Sequence, residues 1–346
     1  MNEIDMEKKV ANNQNHRSRL TLVIVRHGER LDYAHRAAGK NWCGANPAQP
    51  WNPPLTQRGL SMAMQLGAAL REEILPDLGA PPVSAVYTSP FLRCRQTAAA
   101  IVQGMSSKSI GHKRSESDRG HTVSSPLKVR VELGLAESIN ENWYRSWSLP
   151  GTDGTWGYKK QEIPHIDPVR DRMDIRALLP VETLLDWKES SDVTSFNKTL
   201  HRMMDHEHRS LTTLGRDYSF AGNPPKLENG QLQRSRISET IKILSEEHCN
   251  TGESIDKEKE ETILLVSHGG IVTQFYVNLT GNTSKNHGVG KYCCFSIYCS
   301  DNEAQSRDTK KNNDVGKEKW IPLVVNRVLW SNGKKNDFDK SFDDNT

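Results

Sequence analysis

The sequence predicts an α/β protein, built as a three-layer α/β/α sandwich with a mostly parallel central sheet. Two short runs of apolar and β-branched residues, at 20–25 and 262–266, have the composition of fully buried parallel strands. Each run leads into a His-Gly pair, which begins at His27 after the first run and at His268 after the second. Because ligands of such sheets bind beyond the carboxyl ends of the strands, both histidines are expected at one ligand-binding edge.

The chain that follows the first strand predicts a loop and then a helix. Residues 31–54 contain two glycines and four prolines, so they are expected to form a loop that walls the ligand site. Trp42 and Trp51 in this loop are expected to offer apolar surfaces to a ligand. Residues 55–75 carry an apolar stripe at helical spacing, with Thr56 at the N-cap position, and they predict a helix.

A strand and a second helix follow a turn rich in glycine and proline. Residues 83–87 have the composition of a strand, and Ser89-Pro90 is expected to open a helix with its proline in the first turn. Arg93, one turn into this helix, can direct its guanidinium to the sheet edge that carries the histidines. Arg95, two residues further, faces another side of the helix and is expected to be solvated.

The rest of the chain completes one domain. Its predicted elements are a strand at 127–131, helices at 236–247 and 271–277, and strands at 292–300 and 320–330. The domain is expected to span residues 20–331, between disordered segments at 1–19 and 332–346. Three polar stretches interrupt it: an exposed insertion at 106–126, a large cap-like insertion over the ligand site at 139–234, and a mobile loop at 301–319.

Composition excludes several classes of partner. The chain of 346 residues has 46 basic and 43 acidic residues, a net charge of +3, which is too small a field to indicate nucleic-acid binding. No stretch approaches about 18 apolar residues, and the N-terminal residues contain no apolar signal region, so no membrane partner and a cytoplasmic location are expected. The mean hydropathy of −0.69 is low for a compact domain. Polar insertions into a normal domain would lower the mean hydropathy in this way.

Cysteines and clustered histidines do not indicate a metal site. The six cysteines lack the paired spacing of a zinc site and are expected to be reduced thiols within the fold. His201, His206 and His208 are close in sequence but are better interpreted as solvated helix residues. The sequence therefore predicts no metal.

Three motifs together resemble the histidine phosphatase superfamily, the group that includes the cofactor-dependent phosphoglycerate mutases. They are Arg26-His27-Gly28-Glu29, Thr88-Ser89-Pro90-Phe91-Leu92-Arg93 and Ser267-His268-Gly269-Gly270. The longer strings at 26–32, 39–42 and 89–97 look most like the phosphatase domain of the suppressor-of-T-cell-receptor-signalling proteins. The resemblance covers residues 20–105, 127–137 and 260–300.

The resemblance implies phosphoryl transfer, which requires a nucleophile and positive donors around the phosphate oxygens. A neutral imidazole is a competent nucleophile, and a guanidinium fork fits phosphate. The resemblance assigns His27, Glu137 and His268 as catalytic residues. It assigns Arg26, Gly28, Arg93 and His268 as phosphate-binding residues. Arg30 and Trp42 are candidates for the substrate pocket, and the insertion at 139–234 would lie over the active site. No cofactor is expected.

In this scheme His27 attacks phosphorus and becomes transiently phosphorylated. Glu137 aligns with the family's carboxylic acid, and Glu132 is its nearest competitor. Another branch of the superfamily takes its proton from a His-Asp pair at the late histidine. Because Gly269 follows His268 here, Glu137 is left as the proton donor.

Three functions are left open. The preferred one is a phosphatase acting on a small-molecule or protein phosphomonoester, because Glu29 is followed by Arg30 and not by the serine that is usual in mutases. The second is a phosphotransferase of the phosphoglycerate mutase type. The third is a catalytically weak module that binds phosphorylated ligands. A homodimer is also left open.

Overall fold

One sheet lies at the centre of the described part of the fold. The computed structural model describes residues 19–39, 52–107, 127–137, 200–212, 230–249, 260–288, 290–301 and 319–329. Within these ranges the strands are β1 (Arg19–Arg26), β2 (Val83–Thr88), β3 (Val129–Val131), β4 (Glu260–Ser267), β5 (Phe295–Asp301) and β6 (Lys319–Arg327).

The sheet is mostly parallel, and its strands are not arranged in chain order. Their order is β3-β2-β4-β1-β5-β6. The first four strands in this order pair in parallel, whereas β5 runs antiparallel to both β1 and β6. The predicted fold class is therefore confirmed in its central sheet.

Helices cover both faces of the sheet. They are α1 (Leu31–Ala37), α2 (Gln57–Ala69), α3 (Leu92–Ser106), α4 (Gly230–Cys249), α5 (Gly269–Thr280) and α6 (Ser284–His287). Helix α2 continues through a π-helical turn at Leu70–Ile74 and an α-helical turn at Leu75–Asp77, and a 3-10 turn follows β3 at Leu133–Leu135. Val23 and Val25 of β1 pack with α2 and α3 in one apolar cluster. Leu22 and Ile24 pack with α4 and α5 in another. Alternate residues of a strand point to opposite faces, so β1 contributes to both layers of the predicted α/β/α sandwich.

Helix starts agree with the sequence in one case and differ in another. Thr56 caps α2 as predicted, its hydroxyl accepting a hydrogen bond from the Gly59 N–H at 2.9 Å. The second predicted helix begins later, with Phe91 as N-cap of α3, so the prediction that Pro90 lies in the first turn is wrong. The physical reason is a distant partner, because the Leu92 N–H donates to the Asn52 side-chain carbonyl at 2.8 Å.

Helix α1 corrects the start of the predicted loop at 31–54. The glycines and prolines of that stretch begin only at Gly39, so residues 31–37 contain no helix breaker. Asp32 lies in the first turn, where a carboxylate interacts favourably with the helix dipole. The Leu31 N–H donates to the Pro54 carbonyl at 2.9 Å, so Pro54 lies beside the start of α1. Trp42 and Trp51 lie outside the described residues.

The predicted insertions are described only in part. Residues 108–126, 138–199 and 302–318 lie outside the described ranges, as do 1–18 and 330–346. Residues 200–212 lie beside the outer edge of β3, where Met204 forms a β-bridge with Val129. Helix α4 begins at Gly230, inside the stretch predicted as insertion. Among the described helices, none is both long and apolar enough to cross a membrane.

Candidate active site

Neighbouring strands bring the predicted histidines together. Strands β1 and β4 pair in register, with Arg26 opposite Ser267, and each strand is followed directly by its histidine. The His27 N–H donates to the Ser267 carbonyl at 2.9 Å. The two imidazole rings lie 5.5 Å apart between centroids, in an edge-on arrangement. One parallel strand pair therefore supplies both histidines.

His27 is held with one ring nitrogen free for chemistry. Its Nδ1 lies 2.8 Å from the Gly28 carbonyl oxygen, which can only accept, so Nδ1 carries the proton and Nε2 keeps a lone pair. The side chain is buried. Burial, followed by the positive charges of Arg93 and Arg26, lowers the pKa of His27 well below its ordinary value. His27 is therefore a neutral imidazole at neutral pH.

His268 is fixed from both sides of its ring. Its Nε2 lies 2.8 Å from the Ser89 hydroxyl, and its Nδ1 lies 3.1 Å from Arg93 Nη2. A guanidinium can only donate, so Nδ1 accepts and the Nε2–H donates to Ser89. Burial, followed by the charges of Arg93 and a protonated His27, lowers the pKa of His268 well below its ordinary value. The cluster therefore holds two neutral histidines.

Glu137 joins this pair beside Arg93. Its Oε2 lies 3.2 Å from His268 Nδ1 and 3.7 Å from Arg93 Nη2. Arg93 is fully buried, with its guanidinium 4.7 Å above the centre of the Phe91 ring. Glu137 keeps 8 % of its surface exposed, so it can exchange a proton with a bound ligand or with water.

Glu132, the competing carboxylate, has a different role. It accepts hydrogen bonds from the Ser210 hydroxyl at 2.6 Å, the Leu211 N–H at 2.9 Å and the Thr212 N–H at 3.1 Å. A carboxylate that satisfies these donors anchors residues 210–212 to the end of β3. Of the two carboxylates, Glu137 is the one placed beside the histidines.

Arg26 lies on the other side of His27, next to Tyr292. Its guanidinium is 4.8 Å from the centre of the Tyr292 ring and donates to the Gly290 carbonyl. Its buried Nε has no hydrogen-bond partner among the described residues, which leaves a donor for an anion. The Tyr292 ring lies 5.8 Å from that of His27. Burial raises the pKa of Tyr292 to about 12, so its hydroxyl stays protonated. No sequence pattern pointed to Tyr292, because it lies outside every motif and precedes β5.

Arg30, predicted as a substrate-pocket residue, is buried and paired within the protein. It forms a two-point ion pair with Asp32, at 3.2 Å from Nε and 3.1 Å from Nη2. Its charge contributes to the lowered pKa of His27. Trp42, its predicted companion in the pocket, lies outside the described residues.

Gly28 allows a close backbone approach but does not offer its N–H to a ligand. That N–H donates to the Thr97 hydroxyl at 2.9 Å, and phosphate binding by Gly28 stays a prediction. A Cβ at position 28 would lie 2.8 Å from the Gly59 carbonyl oxygen, closer than real contacts allow. Glycine is needed here because α2 begins against the loop that carries His27.

The family comparison matches the first part of the chain. Residues 22–114 match the histidine phosphatase superfamily, branch 1. The histidine phosphatase match runs from β1 past the end of α3. It includes Arg26, His27 and Arg93 and ends before Glu137 and His268. No curated protein matches the sequence.

Solved structures similar to this chain include phosphatases and a mutase. The ecdysone phosphate phosphatase from Bombix mori, in complex with tungstate, is 14 % identical over 93 % of this chain and 99 % of its own, with a TM-score of 0.48. The mycobacterial glucosyl-3-phosphoglycerate phosphatase is 16 % identical over 89 % and 99 %, with a TM-score of 0.43. The phosphoglycerate mutase from Bacillus anthracis str. Sterne is 16 % identical over 91 % and 96 %, with a TM-score of 0.43.

Arg95 is not solvated as predicted. It is fully buried, and burial lowers its pKa to about 10. The prediction failed because nearly all of α3 is buried, so no face of the helix between Leu92 and Val102 is turned to solvent. Helical spacing predicts which residues are exposed only when one side of the helix faces solvent.

Clustered histidines and cysteines do not make a metal centre in the described part of the chain. No group of three or more His, Cys, Asp or Glu there could hold an ion. His206 Nε2 lies 2.8 Å from the His201 carbonyl oxygen, and His208 packs edge-on against Tyr87. The cysteines of the described residues are free thiols.

The buried histidines predict that acid destabilises the protein. His27 and His268 have lowered pKa values when folded, whereas in the unfolded chain both take up protons near pH 6.5. The free energy of unfolding should therefore be highest above pH 6.5 and fall at lower pH, by on the order of 1 kcal/mol per pH unit for each histidine.

Urea unfolding at pH 7.5 and pH 5.5 measures this loss. His268→Asn should flatten the dependence, whereas His206→Ala, at an exposed position, should leave it unchanged. An equal loss of stability with pH in wild type and His268→Asn would contradict the assignment.

Proposed function

We propose that the protein hydrolyses phosphomonoesters through a phosphohistidine intermediate on His27. The observation that carries the proposal is the protonation pattern of His27, a buried neutral imidazole whose Nδ1–H is held by the Gly28 carbonyl. Such an imidazole offers Nε2 as a nucleophile without first losing a proton. The histidine phosphatase match over residues 22–114 supports the same chemistry.

The first half-reaction transfers the phosphoryl group to the protein. Nε2 of His27 bonds to phosphorus as the ester P–O bond breaks, and Glu137 gives its proton to the departing oxygen. Arg93 and Arg26 stabilise the charge on the remaining phosphate oxygens, Arg93 from a fully buried position where its charge interacts strongly. His268 is a neutral neighbour whose Nδ1 accepts from Arg93 and, while Glu137 is protonated, from the Glu137 carboxylic acid.

The second half-reaction returns His27 to its starting state. Glu137, now a carboxylate, takes a proton from water, and the hydroxide oxygen bonds to phosphorus as the N–P bond breaks. Inorganic phosphate leaves, and Glu137 is protonated again. The one carboxylic acid thus serves as acid and then as base.

A phosphatase is preferred over a mutase because the Arg30 guanidinium is already paired with Asp32. A phosphoglycerate mutase must bind a second anionic group of its substrate. Arg30 directly follows the first motif, and its guanidinium is bound at two points by Asp32. The substrate proposed is a phosphomonoester of a small molecule or of a protein.

The test is turnover of para-nitrophenyl phosphate by the purified chain, with a parallel quench for covalently bound label. Hydrolysis without a primer, together with label that is lost in acid and kept in base, is the expected result. Dependence on a bisphosphorylated primer, with isomer exchange faster than hydrolysis, would establish the mutase instead. Saturable phosphate binding without turnover on any monoester would establish a binding module.

Glu137→Gln is expected to separate substrates by their leaving groups. Phenyl phosphate needs a proton on its departing oxygen, whereas 2,4-dinitrophenyl phosphate releases a stable anion. A general acid contributes on the order of 10²- to 10⁴-fold, so kcat/KM for phenyl phosphate should fall by at least ~10²-fold and that for the dinitrophenyl ester by much less. Equal losses on both esters would show that Glu137 is not the proton donor. Glu73→Gln, at an exposed position in the π-helical turn that follows α2, is the carboxylate control and should leave the rates on both esters unchanged.

A further inference from the structure

We propose that Arg236 is the positioning residue that sets the location of Glu137 for proton transfer, an inference that rests on the proposed function. Arg236 lies in α4, more than 90 residues along the chain from Glu137, and is buried. Its Nη1 donates to the Gly134 carbonyl at 2.6 Å and to the Ala136 carbonyl at 3.1 Å. The second of these carbonyls belongs to the residue just before Glu137.

The carbonyl between these two, that of Leu135, is held by a different element. The Ser267 hydroxyl donates to the Leu135 carbonyl at 2.7 Å. Ser267 directly precedes His268, so the same backbone segment carries a histidine and a donor to the acid loop, residues 132–137. Three successive carbonyls before Glu137 are thus fixed, two by Arg236 and one by Ser267.

The start of the acid loop is fixed independently of Arg236. Glu132 accepts from the Gly134 N–H at 3.2 Å and from the backbone of Leu211 and Thr212. This end of the loop stays anchored if Arg236 is replaced. Loss of Arg236 therefore releases the end of the loop that carries Glu137 while leaving its start in place.

The hydrogen bonds of Arg236 act on the backbone that carries the acid. Arg26 ends β1, His27 follows it and Arg93 lies in α3. The hydrogen bonds from Arg236 to the Gly134 and Ala136 carbonyls instead lie in the acid loop. Proton transfer requires the donor oxygen within hydrogen-bonding reach of the leaving oxygen, and a displacement of about 1 Å can cost ~10²-fold in rate. A charged guanidinium bonded to neutral carbonyls holds this position firmly.

The experiment compares Arg236→Met with Glu137→Gln on phenyl phosphate and 2,4-dinitrophenyl phosphate. Methionine keeps an unbranched apolar side chain and removes every donor. If Arg236 positions the acid, kcat/KM for phenyl phosphate should fall at least ~10-fold further than that for the dinitrophenyl ester, in the direction shown by Glu137→Gln. Arg236→Lys, which retains a charged donor, should recover part of the difference.

Arg130→Met is the matched control. Arg130 also lies at the edge of the sheet, but among the described residues its side chain donates to side chains, to Asp205 at 3.2 Å and to Tyr87 at 3.3 Å. Any loss in this variant should be equal on the two esters. An equal loss on both esters in Arg236→Met and Arg236→Lys would assign Arg236 a structural role alone and overturn the proposal.

The two proposals fail in different ways. If Glu137→Gln separates the esters and the Arg236 variants do not, only the positioning role is rejected. If Glu137→Gln fails to separate them, the acid assignment in the proposed function is rejected, and the role of Arg236 with it. If Arg236→Met does not fold, Arg236→Lys is compared with wild type on the two esters. A larger loss on phenyl phosphate supports the positioning role, and an equal loss on both esters rejects it.

Discussion

Replacement of His27 by alanine is expected to lower the rate of phosphate release from a phosphomonoester by about 10⁴-fold or more. The variant keeps Arg26, Arg93 and Glu137, so it should still bind phosphate. It lacks the nitrogen that bonds to phosphorus, and water would have to attack the ester directly. The measurements are release of para-nitrophenol and base-stable labelling of the quenched protein, both of which should vanish together.

His206→Ala provides the control for this loss. His206 is exposed, lies on the segment beside β3 and contacts a backbone carbonyl, so the variant should match wild type in both measurements. Retention of more than about 1 % of the wild-type rate by His27→Ala, in a protein that unfolds cooperatively, would reject His27 as the nucleophile.

Gly67→Ala is expected to destabilise the fold by about 3 kcal/mol or more. Helices α2 and α3 touch through their backbones at two points. A Cβ on Gly67 would lie 2.0 Å from the Ile101 carbonyl oxygen, and a Cβ on Gly104 would lie 2.0 Å from that of Met64. Backbone atoms cannot turn aside as a side chain can, so the helices must separate.

Chemical denaturation measures this effect, with Gly270→Ala as the matched control. Gly270 also lies in a helix, α5, but a Cβ there meets nothing within 4 Å. Alanine is the better helix former by up to about 1 kcal/mol, so Gly270→Ala should leave stability unchanged or raise it. Equal free energies of unfolding for wild type and Gly67→Ala would show that the α2–α3 contact is looser than described.

The features that sequence predicts well are those with a local signal. The runs before His27 and His268 are continuously apolar because both strands are buried on two faces, and the sheet confirms them as parallel neighbours. Thr56 acts as an N-cap because its hydroxyl reaches a backbone N–H three residues on. In each case the cause and the signal lie within a few residues.

The features that sequence could not predict depend on distant contacts. Arg95 appears solvated by helical spacing, yet the burial of its whole helix is set by neighbours far along the chain. Arg236 reaches the backbone before Glu137 because α4 packs against the turn at Leu133–Leu135, and no sequence pattern between the two segments records this. Tyr292 enters the site through the turn before β5. Side chains that support a site from distant elements of the fold leave no regular spacing in the sequence.

The strand order has a consequence for how the chain folds during synthesis. Strand β1 lies between β4 and β5, so both of its hydrogen-bonding partners are translated after residue 259. Until then both edges of an apolar strand lack their native partners, and contacts of such high sequence separation form slowly. An emerging chain that ends before β4 therefore exposes an aggregation-prone segment at its beginning. Dependence on chaperones should be greatest after β1 has emerged from the ribosome and before β4 has emerged.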